Sequence, residues 1–432
     1  VIRRVRHGER LAVVLMGTCV FLILTSYYAM KTSREGFILA RGSFGLTGQE
    51  LKAYASAAMA CLLVAAVPAY GALAARVPRI RLIDISYTVV LASLVGFYVL
   101  ARAGHAVGLP LFVWIGLINV FLVAQFWSYA NDLYSEDAGR RLFPVIALGG
   151  SLGGVAGPRL AAIASTAELL LVSAALLVPC VVLFHVIERF HARDPHAGQP
   201  IRGRGGFQLV WRDRYLLLIA GLVFIGALVK TIGEFVLSDS AARHAAELVP
   251  YTFQAPRAMV TSAREELIKT FYSDFFFWVN LVSFLTQAFL VSVAIDRLGV
   301  RRALFVMPMI ALGAYGAIAA VGTFALVRAA KVAENSADYS LENTVHQTLF
   351  LPTDRAAKYN AKTAIDTFAV RAGDTISALV IWIGVRGVGF HGRQLAAVNV
   401  ALVAVWIAVA AGVVHHHRKR SQGDGARSGC TS

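Results

Sequence analysis

Residues 126–159 read FWSYANDLYSEDAGRRLFPVIALGGSLGGVAGPR. An aromatic, apolar run ends at Asp132, and Glu136, Asp137, Arg140 and Arg141 fill a short charged turn. A second apolar run follows. In it Gly149, Gly153 and Gly157 recur every fourth residue, and Gly150 and Gly154 form a parallel row. Residues four apart lie on one face of a helix. Small residues at that spacing let two lipid-embedded helices bring their backbones close together. Bare helix packing has no need of the acids and arginines beside the glycines. The stretch therefore predicts two membrane helices joined at a charged turn, the hinge region of a polytopic protein.

The rest of the chain has the same character. Of 432 residues, 57% are hydrophobic and 15% charged, and the mean hydropathy is +0.64. A water-soluble chain of this length would have no interior large enough for so much apolar side chain. Apolar runs of about 20 residues recur, each long enough to cross a hydrocarbon core of roughly 30 Å. Spans are expected at 11–30, 53–74, 83–101, 110–130, 143–163 and 168–187, then at 215–236, 275–294, 303–321, 323–343, 362–384 and 395–414. The fold class is an all-α polytopic membrane protein of about twelve helices. The expected organisation is a six-helix half over 1–187, a basic cytoplasmic linker over 188–214, a second six-helix half over 215–414 and a disordered cytoplasmic tail over 415–432.

A formal charge of +16 taken alone suggests a nucleic-acid partner. Its placement favours a membrane topology instead. Arg3, Arg4, Arg6 and Arg10 precede the first span, and Arg76, Arg79 and Arg81 follow the second. Arg140 and Arg141 follow the fourth, Arg297, Arg301 and Arg302 the eighth, and Arg418, Lys419 and Arg420 the last. All fall on one side, as the positive-inside rule requires of cytoplasmic loops. Both termini are then cytoplasmic, in a cell (inner) membrane of bacterial type. The opening VIRRVRHGER with LAVVLMGTCVFLILT resembles a secretory signal but lacks a small-x-small cleavage site, so it is read as the first span. Cys19, Cys61, Cys180 and Cys430 have neither metal-ligand nor disulfide-framework spacing. His415–His417 would suit a metal, but adjacent histidines at a membrane exit are read as solvated. No metal or cofactor is expected.

An internal repeat supports two halves. GALAARVPRIRL (71–82) and AIDRLGVRRAL (294–304) follow the second and eighth spans. Both resemble the loop signature of the major facilitator superfamily, in which an acid and arginines lock neighbouring helix ends. Asp296, Arg297, Gly299, Arg301 and Arg302 carry the pattern, and in the first copy Ala75 stands where the acid is expected. The resemblance implies two halves rocking about a midplane site. Its switch residues would be Arg76, Arg140, Arg141, Asp296, Arg297 and Arg301.

Each ionisable group at the centre of a span costs about 2.5–3.5 kcal/mol on insertion scales, and so needs a partner or a watery path. Here they cluster as Lys31, Arg34 and Glu35; as Asp132; as Lys230 and Glu234; as Lys358, Lys362, Asp366, Arg371 and Asp374; and as Arg328, Lys331, Glu334 and Asp338. Pairing along single helices is one reading, since Lys230–Glu234 and Lys362–Asp366 have i,i+4 spacing. Asp132 would equally neutralise Arg140 or Arg141. The other reading is a cavity in which Arg34, Lys230 and Lys362 hold an anion, with Arg34 gripping phosphate oxygens bidentately. Phe126, Trp127 and Tyr129 would stack on a base or form an interfacial aromatic belt.

Three segments carry a closer resemblance. They are Lys31-Thr-Ser-Arg34-Glu35, the stretch FWSYANDLYSEDAGRRLFP, and Tyr339-Ser340-Leu341 with Pro352 and Lys358-Tyr-Asn-Ala-Lys362-Thr-Ala-Ile-Asp366. They resemble the non-mitochondrial ATP/ADP translocases of plastids and intracellular bacteria. That family uses charged positions in spans 1, 4, 7 and 11, which fall here on Arg34, Asp132, Lys230 and Lys362. Lys230 reverses the family's sign, and Glu234 one turn later would restore it. The loop 240–274 reads as longer than the family's. The resemblance implies a nucleotide antiporter working by alternating access, functional as a monomer in the bilayer. Its cargo would be a nucleotide or another phosphorylated anion bound by Arg34, Asp132, Lys230, Glu234 and Lys362. Lys31, Glu35, Lys358, Asp366 and Asp374 would couple or gate.

Two other functions fit the same residues. One is a proton-coupled carrier of another organic anion, with Asp132, Asp366 or Asp374 taking the proton. The other is a non-transporting receptor or scaffold displaying 240–274. An enzyme is not expected: no G-x-x-x-x-G-K-[ST] and no H-E-x-x-H occurs.

Overall fold

A computed structural model describes residues 9–74, 76–134, 136–190, 206–251, 255–350, 353 and 361–428. Among them the only β-pairing is a single bridge, Ser43 with Leu46. Six long helices come first: α1 (Arg10–Ala40), α2 (Gly48–Ala74), α3 (Arg79–Arg102), α4 (Gly108–Leu133), α5 (Glu136–Arg159) and α6 (Glu168–Phe190). A short α7 (Gly206–Arg212) precedes α8 (Arg214–Leu248). Next, α9 (Arg257–Leu285) runs through a wide i→i+5 turn at Thr286–Leu290 into α10 (Val291–Ala303). Then come α11 (Val306–Ala320), α12 (Phe324–Ala337), α13 (Asn343–Leu349), α14 (Lys362–Ala364), α15 (Val370–Trp382) and α16 (Gly392–Ser428). Wide turns at Asp338–Glu342 and Ile365–Ala369 join α12 to α13 and α14 to α15.

Ten of these runs are long and apolar enough to cross a membrane, and α11 is a shorter apolar helix. The run 324–349 is the twelfth. It holds Arg328, Lys331, Glu334, Asp338 and Glu342, so composition alone does not mark it as a span. The expected all-α membrane architecture is therefore present.

Two expected segments differ. The stretch 240–274 is not a loop: α8 continues to Leu248 and α9 begins at Arg257. At 1.5 Å per residue α8 is roughly 50 Å long, well beyond a hydrocarbon core. The tail read as disordered continues α16 to Ser428. Most of the linker, 191–205, lies outside the described residues.

The helices divide into two compact units. The first takes Val1–Pro200 with Ala242–Asn280, the second Ile201–Ala241 with Leu281–Ser432. The first thus includes 242–280, which the sequence reading places with the second half. Polar side chains on α9 explain this. Arg41 Nε donates to Glu265 at 2.8 Å, and Thr166 donates to Glu266 through its N–H and its hydroxyl, each at 2.7 Å. Lys269 Nζ donates to the Ala164 carbonyl at 2.8 Å, and Ser273 Oγ to that of Pro158 at 2.6 Å.

In the first unit α1 lies against α5, α6, α4 and α2. The glycine row does what its spacing predicts. A Cβ at Gly149 or Gly153 would run into the backbone carbonyl oxygen of Gly17 or Phe21, and one at Gly157 would lie 2.5 Å from that of Thr25. The second unit is built round α8. Gly226 faces Trp406 of α16, and Gly373 of α15 faces Ala227. Asn399 donates to the Val229 carbonyl at 2.9 Å. In α10, Gly299 takes a φ of +71° and breaks the helix just after Asp296 and Arg297.

Candidate functional site

Within the first unit, α1 delivers Lys31, Arg34 and Glu35 at i, i+3 and i+4, one above another on a single face. Arg34 leaves only 10% of its side chain exposed, and its guanidinium lies 4.3 Å from the centre of the Phe112 ring. Its Nε is 3.4 Å from Glu35 Oε1, an ion pair without a hydrogen bond. Glu35 also meets Lys52 of α2, Oε2 to Nζ at 2.8 Å. Lys52 in turn donates to Tyr272 Oη at 3.4 Å. Lys31 sits 4.2 Å from the Phe276 ring centre and 5.4 Å from that of Tyr28, and forms no ion pair among the described residues. Two cations, Arg34 and Lys52, therefore share one carboxylate, with Lys31 one turn away over the Phe276 ring. A guanidinium stacked on an aromatic face keeps its edge donors for a ligand. Those of Arg34 make no hydrogen bond among the described residues.

A second cluster lies wholly within the second unit. Lys230 pairs with Asp338 at 2.5 Å. Glu234, one turn along α8, accepts from Asn335 Nδ2 at 3.0 Å and lies 3.6 Å from Lys331 Nζ. Lys331 and Glu334 are fully buried and paired at 2.6 Å, and Tyr315 Oη donates to both Glu334 oxygens at 2.7 and 2.8 Å. Gly233 leaves room for them: a Cβ there would strike Tyr315 Oη. On α15, Asp374 accepts from Thr231 at 2.8 Å and from Arg371 at 3.1 Å. Lys362 and His346 share Asp366, at 2.8 Å from Oδ2 and 2.7 Å from Oδ1. Asp338 and Asp366 both sit on wide i→i+5 turns, a feature frequent at functional sites. The expected i,i+4 contact of Lys362 with Asp366 is present, and Lys230 reaches across to a different helical run.

The remaining predicted residues lie outside these two clusters. Asp132 ion-pairs with Arg79, not with Arg141. The pair is 39% and 31% exposed. Arg141 forks onto Glu9 at 2.9 and 3.3 Å. The Arg140 side chain and all of Lys358 lie outside the described residues. Arg76, Asp296, Arg297 and Arg301 are exposed, and Asp296 forms no ion pair among the described residues. Phe126 and Tyr129 do not offer a base platform. They are buried against Phe184, at ring distances of 6.5 and 5.0 Å. His415 and His416 extend α16, and the His417 side chain is outside the described residues. Lys52, Tyr315, Asn335 and His346 were not singled out by sequence. Only the i,i+3 spacing of charges in an apolar helix hinted at Lys331 and Glu334. A Gly-x-Ser-x-Gly match at 149–153 is a helix interior, with Ser151 Oγ donating to the Ala147 carbonyl at 3.4 Å, and so lacks the strained turn of a nucleophile elbow.

The Asp132–Arg79 contact gives a first prediction. An exposed pair of this kind contributes up to about 1 kcal/mol. Asp132→Arg and Arg79→Asp are each expected to lower the unfolding temperature slightly, and the double reversal to recover it. A double variant no better than the worse single would remove the contact.

No family model matches the chain. Among curated proteins it is similar to ADP,ATP carrier protein 1 of Chlamydia trachomatis, 22% identical over 342 residues, covering 67% of this chain and 61% of the relative. ADP,ATP carrier protein 1 of Chlamydia pneumoniae is likewise 22% identical over 341 residues, covering 67% and 63%. The chain thus spans less than two thirds of the relatives it matches, and the resemblance drawn from its motifs is borne out. Among solved structures it is similar to a POT family transporter in complex with a thioalcohol-conjugated peptide (TM-score 0.68, 13% identity, 97% and 99% of the two chains). It is also similar to a mutant of the nucleoside transporter NupG (TM-score 0.63, 13% identity, 94% and 99%). The fold is that of these transporters, the major facilitator-like architecture expected from the arginine loops.

Proposed function

We propose that the chain is a nucleotide carrier that exchanges ATP and ADP by alternating access, with Arg34, Lys230 and Lys362 as its phosphate-binding cations. The carrying observation is Arg34: a guanidinium nine-tenths buried, stacked on Phe112, with no hydrogen bond from its donors among the described residues. A buried cation in a membrane helix is costly unless it has a partner or a cargo. The fork geometry of Arg suits phosphate oxygens, two at a time. Lys31, with no ion-pair partner among the described residues, adds a second positive centre one turn away. The similarity to ADP,ATP carriers supports a nucleotide as the anion. Asp132 and Glu234 act as couplers or gates, since both are already held by charged neighbours or amides. The protein works as a monomer in a bacterial inner membrane with cytoplasmic termini, and has no nucleic-acid partner. Nucleotide is its cargo, and it is not an enzyme.

Labelled ATP uptake into proteoliposomes preloaded with ADP, against empty ones, tests this reading. Uptake is expected only with internal nucleotide. Arg34→Ala removes a charge-assisted contact of about 1.5–3 kcal/mol. It should therefore raise the ATP concentration for half-maximal uptake by roughly ten- to a hundredfold, and Arg34→Lys should recover part of this. Lys362→Ala should stop uptake in protein that still elutes as a single species. Unchanged uptake in both alanine variants would sink the assignment.

A further inference from the structure

Five titratable side chains lie along one face of the run 324–349: Lys331, Glu334, Asp338, Glu342 and His346. Their spacings of three, four, four and four residues set each a turn beyond the last. Four of them are tied to groups from other elements. Lys331 lies near Glu234, Glu334 accepts from Tyr315, Asp338 holds Lys230, and His346 meets Asp366. Glu342 differs. Its Oε2 is buried and has no hydrogen-bond partner among the described residues. Asp338 and His346 lie one turn to either side of it on the same face, and Lys230 is already held by Asp338 at 2.5 Å. His346, one turn beyond Glu342, meets Asp366 at 2.7 Å, with the Phe350 ring 5.4 Å from its own.

The local charges do not balance. Among the described residues, Asp338, Glu342 and Asp366 meet Lys230, Lys362 and a histidine. With the histidine neutral the acids outnumber the cations, and a proton on one of the acids reduces the excess. A buried carboxylate oxygen without a donor is unfavourable in its charged form and far less so in its protonated form. Chains of Asp, Glu and His across a membrane are the usual material of proton relays.

We propose that this ladder binds and relays a proton, with Glu342 as the group that holds it at rest and His346 as its first acceptor. The proton leaves the Glu342 carboxyl for the imidazole of His346. The carboxylate left behind is met by Lys230 and the imidazolium by Asp366. Nothing is oxidised or reduced, and each proton that enters the ladder leaves it. Coupling to transport rests on the anion reading above. A phosphate that takes Lys230 or Lys362 deprives Asp338 or Asp366 of its cation and raises the affinity of the ladder for a proton. Because ATP carries one more negative charge than ADP, a proton travelling with ATP makes the exchange electroneutral.

Two measurements test this, and only the second depends on the cargo. Infrared difference spectra of the purified full-length protein, without nucleotide, are expected to show a protonated carboxylic acid band near neutral pH. Glu342→Gln should lose that band while eluting as folded protein, and Glu342→Asp should restore it. A wild-type protein without the band, or a Gln variant that keeps it, overturns the proton site. In the second, ADP-loaded proteoliposomes carry a pH-sensitive dye and receive external ATP. The wild type should acidify the lumen as ATP enters and should respond to an imposed pH gradient. Glu342→Gln should still exchange ATP for ADP but lose both proton signals. ATP entry without acidification in the wild type, or acidification that persists in the Gln variant, overturns the coupling. If no ATP moves in any protein, the nucleotide reading fails and the infrared result alone decides the proton site.

Discussion

Replacing Gly153 with leucine is expected to remove the folded protein from detergent extracts. The reason is the atom it would meet. A Cβ at Gly153 runs into the backbone carbonyl oxygen of Phe21, and a carbonyl inside a helix has no rotamer by which to step aside. Overpacking against a side chain costs about 1–3 kcal/mol. Here relief requires α1 and α5 to part along their length, and the contacts of Gly149 and Gly157 go with Gly153. A protein whose whole stability is on the order of 5–15 kcal/mol does not survive that loss comfortably. Gly150→Ala should be milder, because its new Cβ meets a Leu24 methyl at 3.2 Å. Gly96→Leu is the control, since nothing lies within 4 Å of a Cβ there. Size-exclusion profiles and thermal unfolding would be compared across the three. A Gly153→Leu protein as monodisperse and as stable as Gly96→Leu would show that α1 and α5 do not touch at these residues.

The same contact shows what a sequence can and cannot carry. The glycine row is legible because small side chains at every fourth position have one physical use in lipid. Its partner is not, because α1 presents the carbonyls of Phe21 and Thr25, and every residue has a carbonyl. Helix number was legible wherever hydropathy was unbroken. It failed over 240–274, where Arg264, Glu265, Glu266 and Lys269 break the apolar run. These charges read as a loop, yet Glu265, Glu266 and Lys269 bond to Arg41 just after α1 and to the segment after α5, and so sit on a helix surface. Lys230 makes the point at the site. Single-helix spacing offers Glu234, but the partner observed is Asp338, 108 residues on. Insertion cost says that a membrane charge needs a partner, without saying which one. The aromatics beside Asp132 failed differently: Phe126 and Tyr129 share a helical face, and that face turns towards Phe184 and the core of the first unit.

Lys331→Met is expected to destabilise the protein by about 3–5 kcal/mol, the range for removing one partner of a buried ion pair. Lys331 and Glu334 expose none of their side chains, and Glu334 has only Lys331 as a cationic neighbour within 4 Å among the described residues. Without the ammonium, the Glu334 carboxylate keeps its two contacts with Tyr315 Oη but loses its counter-charge. Glu234 loses its 3.6 Å neighbour as well, though Asn335 still donates to it. Much of the penalty is therefore the cost of stranded charge, not the worth of the pair. Adding Glu334→Gln should recover most of the loss, because the amide carbonyl still accepts from Tyr315 and no charge is left over at that position. Thermal unfolding in detergent measures this, with Arg301→Met at an exposed site as the reference for simple charge removal. Two results would refute the pairing. One is a Lys331→Met protein no less stable than Arg301→Met. The other is a double variant that loses the sum of both single effects, since charges that do not meet would add independently.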